Sequence, residues 1–304
     1  MERQTAKAHL EFDISEARWV FDSLDLELSG EQISSPYDLY AVERLRDEHG
    51  LRKGMALGTD VFVMGRGTPK ARHVTKVSGL PYWPRSREWP GVSEGSPYQF
   101  LAQFNFTDSR DLVPNLPGEI LLAFVPQDDE DWLWETDRMR FEWVSASEGN
   151  LIPSLPTGVR RYSKSEWYGV LHRTCDYPDQ GKIARKLEVD QPYNLPIING
   201  TKIGGVPHRI QTQIEYRVDP HSGWLMGSPS GQSEPKMRFL CQLTSIQAEP
   251  NVPYPWTNRE EKLTLAFDAK GIYGEDNQCV FGDMGSIYFF LNQAGECIAS
   301  SECY

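Results

Sequence analysis

Apolar side chains near the start of the chain recur at the spacing of amphipathic helices. The pattern predicts one helix over residues 14–24 and a second over residues 36–49. Ser35 can cap the second helix, and Gly50 can end it. The apolar faces consist of Ala17, Val20, Phe21 and Leu24 in the first helix and of Leu39, Val42 and Leu45 in the second. We therefore expect an N-terminal helical segment over residues 1–55.

Beyond that segment, short runs of β-branched and aromatic residues alternate with turn-forming residues, a pattern typical of strands joined by turns. The 21 Pro and 25 Gly residues agree with many such turns. The eight predicted strands cover residues 61–64, 98–106, 120–125, 139–144, 213–218, 238–243, 263–267 and 286–291. The expected fold class is therefore α+β and strand-rich.

Three sequence blocks in the first half of the chain return in the same order in the second half. The pairs are KVSGLPY at 76–82 with KIGGVPH at 202–208, FLAQF at 100–104 with FLCQL at 239–243, and GEILLAF at 118–124 with GSIYFFL at 285–291. Ordered matches of this kind indicate an internal duplication. We predict a single domain over residues 1–304, in which repeat halves at 60–145 and 195–293 form a sheet core with pseudo-twofold symmetry.

Each FLxQ block places a glutamine inside an apolar strand. A buried amide must be hydrogen-bonded, so we expect Gln103 and Gln242 each to tie their strand to a neighbouring turn, around residues 79–81 or 205–207. The alternative is a groove between the halves that serves a small molecule or an undetected enzymatic reaction. That groove would be lined by Tyr82, Trp83, Gln103, His208 and Gln242.

Charge and cysteine usage narrow the classes of partner and compartment. The 43 acidic and 31 basic residues give a net charge of −12, which disfavours direct binding to nucleic acid or to an anionic membrane and suits a basic protein. Acidity for solubility alone is the alternative. The five cysteines lack disulfide or zinc spacing, and no apolar run has signal-peptide character, so we expect free thiols in the cytoplasm.

The sequence holds no recognisable catalytic or metal-binding motif. Its six histidines show neither HxxxH nor HxH spacing, and the GxSxG nucleophile and the Walker phosphate loop are absent. The paired carboxylates Asp128-Asp129 and Glu260-Glu261 lie in polar runs, where solvation keeps them ionised. We therefore predict a binding protein with no catalytic residue, no bound metal and no cofactor.

One segment between two predicted strands combines acidic and aromatic side chains. Its tryptophans are Trp132 and Trp134, and its acidic residues are Asp128, Asp129, Glu130, Asp131, Glu135 and Asp137. Carboxylates can steer a basic partner, while tryptophan supplies much of the binding energy at many interfaces. This segment is the predicted partner-binding site. The alternative is a solvated loop whose tryptophans fold back on the core.

The repeat blocks resemble the YwqG-like family, a domain family of unknown function. The resemblance rests on the Gly-x-Pro turn at 79–81, the Trp-Pro pairs at 83–84 and 89–90, the FLAQ strand at 100–103, the KIGGVP turn at 202–207 and the FGDMGSIYFF strand at 281–290. It covers residues 64–293 and departs from the family at His208 and Arg209, where an aromatic residue is usual. It implies one α+β unit built from two related halves, and it brings no catalytic residues.

Members of the YwqG-like family are often encoded beside secreted polymorphic toxins, so the resemblance implies an immunity protein. An acidic, catalytically silent protein is suited to the basic substrate channel of a nuclease. We therefore expect the partner to be a cognate nuclease toxin, such as a type VI secretion effector. Neutralisation could block its active site or disrupt its fold. A general protein-interaction module without a toxin partner is a further alternative.

Overall fold

The computed structural model describes residues 46–66, 68–69, 71–127, 131–180, 196–211, 217–218, 225–226, 237–247 and 278–303. The predicted helix over 14–24 and most of that over 36–49 lie outside these residues. Residues 46–48 are helical, and Gly50 follows with φ of 64°, the left-handed conformation that glycine supplies after a helix. Apart from this last turn, the N-terminal helices stay predictions.

The described residues are strand-rich and contain few helical residues. Four short 3-10 helices lie at Thr107–Ser109, Asp131–Leu133, Thr136–Arg138 and Pro178–Gln180. The fourteen strands are β1 Leu57–Arg66, β2 Lys76–Val77, β3 Tyr98–Asn105, β4 Ile120–Pro126, β5 Arg140–Val144, β6 Trp167–Asp176, β7 Lys202–Gly204, β8 Arg217–Val218, β9 Leu225–Met226, β10 Arg238–Thr244, β11 Ile246–Gln247, β12 Gln278–Cys279, β13 Ser286–Leu291 and β14 Cys297–Glu302.

Six of the eight predicted strands are confirmed, as parts of β1, β3, β4, β5, β10 and β13. Of the strand predicted at 213–218, only β8 is described, and the strand predicted at 263–267 lies outside the described residues. The pattern missed β6 and β14. Both carry polar residues inside the strand, such as His172 and Arg173 in β6, which interrupt the apolar run.

Ten strands form one antiparallel sheet in the order β14-β13-β10-β7-β1-β6-β2-β3-β4-β5. The long pair β1 and β6 lies at the centre, with Leu57 opposite Asp176 and Arg66 opposite Trp167. Strands β2 to β5 extend outward on one side, and β7, β10, β13 and β14 extend on the other. The three repeated blocks therefore supply β2, β3 and β4 on one side and β7, β10 and β13 on the other, in the same outward order.

The sheet curls so that its two ends share a core. Phe141 on β5 and Phe289 on β13 are eight strands apart, which would separate them by about 38 Å in a flat sheet. Their ring centroids are 5.9 Å apart, and Phe289 also packs on Phe104 of β3 at 5.5 Å. The main apolar cluster accordingly contains residues from both repeat halves.

Candidate functional site

Two buried lysine–carboxylate pairs occupy equivalent positions in the two repeats. Lys76 on β2 places Nζ 2.7 Å from Oε1 of Glu166, and Lys202 on β7 places Nζ 2.8 Å from Oδ2 of Asp176. The two carboxylates flank β6, since Glu166 precedes the strand and Asp176 ends it. Burial lowers the pKa of both lysines, and the neighbouring carboxylate opposes that shift.

A glycine turn follows each buried lysine and wraps its carboxylate. Gly79 and Gly205 have φ of 78° and 67°, and a Cβ on either would overlap the carboxylate of Glu166 or Asp176. In the second repeat the turn also donates a hydrogen bond, from the Val206 amide to Asp176 Oδ2 at 3.0 Å. The glycine repeated in each turn therefore allows the backbone to pass close to a buried carboxylate.

The two strand glutamines bind these turns, as the sequence predicted. Gln103 Oε1 accepts a hydrogen bond from the Tyr82 amide at 2.8 Å, and its Nε2 donates to the Val74 carbonyl at 2.7 Å. In the same way, Gln242 Oε1 accepts from the His208 amide at 2.8 Å. Both side chains are fully buried. These hydrogen bonds fix each strand to its neighbouring turn, and we call each glutamine with its hydrogen bonds a clamp.

The structure does not bring the five residues of the predicted groove together on one surface. Gln103 on β3 and Gln242 on β10 lie on opposite sides of the central pair β1 and β6. Tyr82 and Trp83 belong to an apolar cluster on one side, and His208 is buried on the other. All five are buried, so each side contributes packing rather than a wall of an open groove.

In the second turn His208 occupies the position that Tyr82 has in the first repeat. Burial, followed by the nearby Lys202 charge, lowers its pKa to about 3, so the imidazole is neutral at physiological pH. Its backbone carbonyl accepts a hydrogen bond from the Tyr288 hydroxyl at 2.7 Å. The next residue, Arg209, lies over the Tyr288 ring at 4.8 Å and forms an ion pair with Glu302 at 2.8 Å.

In the acidic segment the two tryptophans differ in solvent exposure. Trp132 is only 5% exposed and packs edge-on against Tyr162, with ring centroids 5.9 Å apart. Trp134 is 61% exposed. Nothing in the sequence distinguishes them, because both are flanked by leucine and carboxylates. Asp128, Asp129 and Glu130 lie outside the described residues, so their part in the predicted site stays a prediction.

Hydrogen bonds hold this segment against the edge strand β14. The Leu133 carbonyl accepts from the Ser301 hydroxyl, and the Thr136 hydroxyl donates to the Ala299 carbonyl at 2.8 Å. The acidic side chains of Asp131, Glu135 and Asp137 are exposed around it. The segment therefore presents one exposed indole, with three exposed carboxylates close to it in sequence, on a backbone that is fixed to β14. One of these carboxylates, Glu135, forms an ion pair with Arg138 at 3.3 Å.

Metal ligands and reactive thiols were the other candidates for chemistry in the described residues. No group of three or more His, Cys, Asp or Glu is arranged there to hold a metal ion. Burial raises the pKa of the Cys279 thiol to about 12 and that of Cys241 well above its ordinary value, so neither is poised as a nucleophile. No helix in this part of the chain has the length and apolar composition needed to cross a membrane.

One family model matches the chain, over residues 75–295, and its description is a domain of unknown function. The match begins at the turn into β2 and ends after β13, so it spans all three repeated blocks and both buried lysines. No curated protein matches the chain.

Proposed function

The chain belongs to the family of the domain of unknown function DUF1963, and we propose that this member is an immunity protein that binds and neutralises a basic nuclease toxin. The observation that carries the proposal is the exposed indole of Trp134 in a segment whose carboxylates Asp131, Glu135 and Asp137 are also exposed. The net charge of −12 supports a basic partner. The toxin context comes from the resemblance of the repeat blocks to the YwqG-like family.

The geometry around Trp134 suits an interface anchor. Large aromatic side chains dominate the energetics of many interfaces. Here the buried Trp132, together with the hydrogen bonds of Leu133 and Thr136, fixes the backbone on both sides of the anchor. A fixed anchor loses less conformational entropy on binding. The exposed carboxylates would accelerate encounter with a basic surface.

We also propose that the two halves form one domain over residues 1–304, related by a pseudo-twofold axis between β1 and β6. The matching outward order of the repeat strands supports this. The pairing of the two central strands supports it as well. Strand β1, which leads into the first half, pairs with β7 of the second half. Strand β6, which leads into the second half, pairs with β2 of the first half. Each half therefore completes the sheet of the other, giving a rigid platform for the acidic segment.

Protection of living cells tests the proposed function. The chain should be co-expressed with the nuclease toxin encoded beside it, and growth should be restored. Trp134→Ala should abolish protection, whereas Val92→Ala, which truncates another exposed apolar side chain, should retain it. The toxin-immunity function is overturned if the wild-type chain gives no protection. If Trp134→Ala protects as well as wild type, Trp134 is not the anchor.

A further inference from the structure

The turn that leads into β13, residues 282–284, lies against the acidic segment, and we call it the β13 turn. An added Cβ on Gly282 would lie 3.3 Å from Cδ2 of Leu133, the residue before Trp134. The same Cβ would lie 3.1 Å from Cβ of Cys303, which directly follows β14. The β13 turn and the acidic segment therefore meet at the edge strand that holds the segment in place.

Three packed aromatic rings connect the β13 turn with the acidic segment. Phe281, which precedes the turn, stacks on Tyr162 with ring centroids 6.3 Å apart, and Tyr162 meets Trp132 edge-on at 5.9 Å. The Gly285 amide donates a hydrogen bond to the Phe281 carbonyl at 2.7 Å and so closes the turn. Because close packing fixes these backbones, the β13 turn keeps a constant position relative to Trp134.

The β13 turn exposes groups that suit a partner. Asp283 is exposed and forms no ion pair with the described residues, so its carboxylate is available to another protein. Met284 is partly exposed and has φ of 53°, a strained conformation of the kind that clusters at functional sites. Because Gly118 aligns with Gly285, the residue of the first repeat that corresponds to Asp283 is Leu116. The turn therefore carries a carboxylate only in the repeat that lies against the acidic segment.

A stable protein interface is larger than the acidic segment. Standard interfaces bury about 800 Å² on each partner, from roughly 20–30 residues, and residues 131–137 are too few to supply that area. A partner that binds Trp134 must therefore also cover neighbouring residues. Besides β14, the β13 turn and the loop that carries Tyr162 both contact the segment.

Charge distinguishes these two neighbours of the segment. The loop that carries Tyr162 exposes three basic side chains, Arg160, Arg161 and Lys164, whereas the β13 turn exposes Asp283. A basic partner is repelled by the loop and attracted to the turn.

We propose that the β13 turn forms the second part of the toxin-binding surface. Asp283 pairs with a lysine or arginine of the toxin, and Met284 packs against the toxin beside the apolar contact of Trp134. This inference rests on the function proposed above. It adds to the binding surface a turn that is far from the acidic segment in the sequence.

Carboxylate footprinting of the complex tests the placement of Asp283. Exposed carboxyl groups are coupled to glycine amide with a carbodiimide, with and without the nuclease toxin encoded beside the chain, and mass spectrometry measures the labelling of each residue. Labelling of Asp283 and Asp137 should fall about threefold or more, because an interface excludes water from the groups it covers. Glu88, an exposed carboxylate of the first repeat half, should be labelled equally in both states.

Binding kinetics of two variants test what the β13 turn contributes. Asp283→Asn should slow association about two- to threefold at low salt, whereas Glu88→Gln, which loses one charge elsewhere, should change it by less than about 1.5-fold. Met284→Gly removes the side chain and relieves the strained φ, so the protein should stay folded while toxin dissociation accelerates about three- to tenfold. Met55→Gly removes another exposed methionine side chain and should leave dissociation unchanged.

The outcomes separate this inference from the function on which it rests. If the wild-type chain forms no complex with the toxin, the proposed function fails, and the binding surface fails with it. If the complex forms while Asp283 is labelled as in the free protein, the inference alone is overturned. Rates for Asp283→Asn and Met284→Gly equal to those of their two controls overturn it as well. Should Met284→Gly unfold, the footprint and Asp283→Asn decide.

Discussion

Gln242 accepts a hydrogen bond from the backbone amide of His208 at 2.8 Å, across the turn that follows a buried lysine. Gln103 makes the same contact with the Tyr82 amide at the same distance in the first repeat. The side chain that accepts the bond is therefore retained in both repeats, although Tyr82 and His208 differ in chemistry. Because the donor is a backbone amide, the turn can vary its side chains without losing the clamp.

Replacing the first clamp should cost substantial stability. Gln103→Met leaves the buried Tyr82 amide and the Val74 carbonyl without their partner, and we expect the free energy of unfolding to fall by about 2–4 kcal/mol. Gln99→Met, a half-buried position on the same strand, should change it by less than about 0.5 kcal/mol. Urea unfolding followed by fluorescence measures both. Equal losses in the two variants would contradict the clamp.

The clamp was predictable from sequence because a short local sequence pattern indicates it. An apolar run with one embedded amide, which occurs in both repeats ahead of a strand that follows a glycine, indicates a buried hydrogen-bonded glutamine. Strands β3, β10 and β13 were predictable for the same reason. By contrast, β6 carries Arg173, whose Nη2 lies 2.8 Å from the buried Asp60. A strand with such a charge on it does not show an apolar pattern.

The strand order and the burial of the two tryptophans depend on contacts between distant residues. Strands β2 and β7 contain two and three residues, too few for periodicity to identify them, yet they join the central pair to the two outer sets. The different burial of Trp132 and Trp134 depends on Tyr162 and on β14, which follow much later in the chain. No local sequence pattern predicts these long-range contacts.

The turn glycines give a matched pair of substitutions. At Gly205, φ is 67° and an added Cβ would overlap the Asp176 carboxylate, so Gly205→Ala combines backbone strain with displacement of a buried ion pair. We expect a loss of about 3–5 kcal/mol, the cost of disrupting a buried pair. Gly95 has φ of 76° but open space around it, so Gly95→Ala should cost only the backbone term, about 1–2 kcal/mol.

Thermal and chemical unfolding of both alanine variants separates the two effects. If Gly205→Ala costs no more than Gly95→Ala, the close approach to Asp176 is not what the glycine serves.

His208 should make stability depend on pH in the acidic range. Its pKa is about 3 in the folded protein, against 6.5 for an ordinary histidine, so below pH 6.5 the unfolded chain binds a proton that the folded protein excludes. The free energy of unfolding should therefore fall as pH drops from 6.5 towards 3, by up to about 1.4 kcal/mol per pH unit from this residue. In His208→Gln that contribution should vanish, while the backbone bond to Gln242 stays available.

Urea unfolding of both proteins at several pH values between 7 and 4 gives the test. Other titrating groups contribute equally to the two curves, so the difference between them isolates His208. If the two curves are parallel, His208 is protonated as readily in the folded protein as in the unfolded chain, which contradicts the prediction.

Truncation of Trp132 should destabilise the protein, whereas truncation of Trp134 should leave its stability unchanged. Trp132→Ala removes a buried ring from its contact with Tyr162, and we expect the free energy of unfolding to fall by about 3–5 kcal/mol. Trp134→Ala removes a ring that is 61% exposed, so the melting temperature should stay within about 1 °C of wild type. If Trp134→Ala lowers stability as much as Trp132→Ala, Trp134 belongs to the core and not to an interface.

With stability unchanged, binding kinetics of Trp134→Ala report on the interface itself. Toxin dissociation should accelerate, equivalent to a loss of about 2 kcal/mol or more in binding free energy, because an aromatic anchor acts mainly on the dissociation rate. Neutralising Asp131, Glu135 and Asp137 to amides should instead slow association. That effect should fade as salt rises above physiological strength, where charges are screened beyond about 8 Å. An association rate that ignores both salt and these substitutions would show that these carboxylates do not steer the partner, and the interface would then have to be sought on another face.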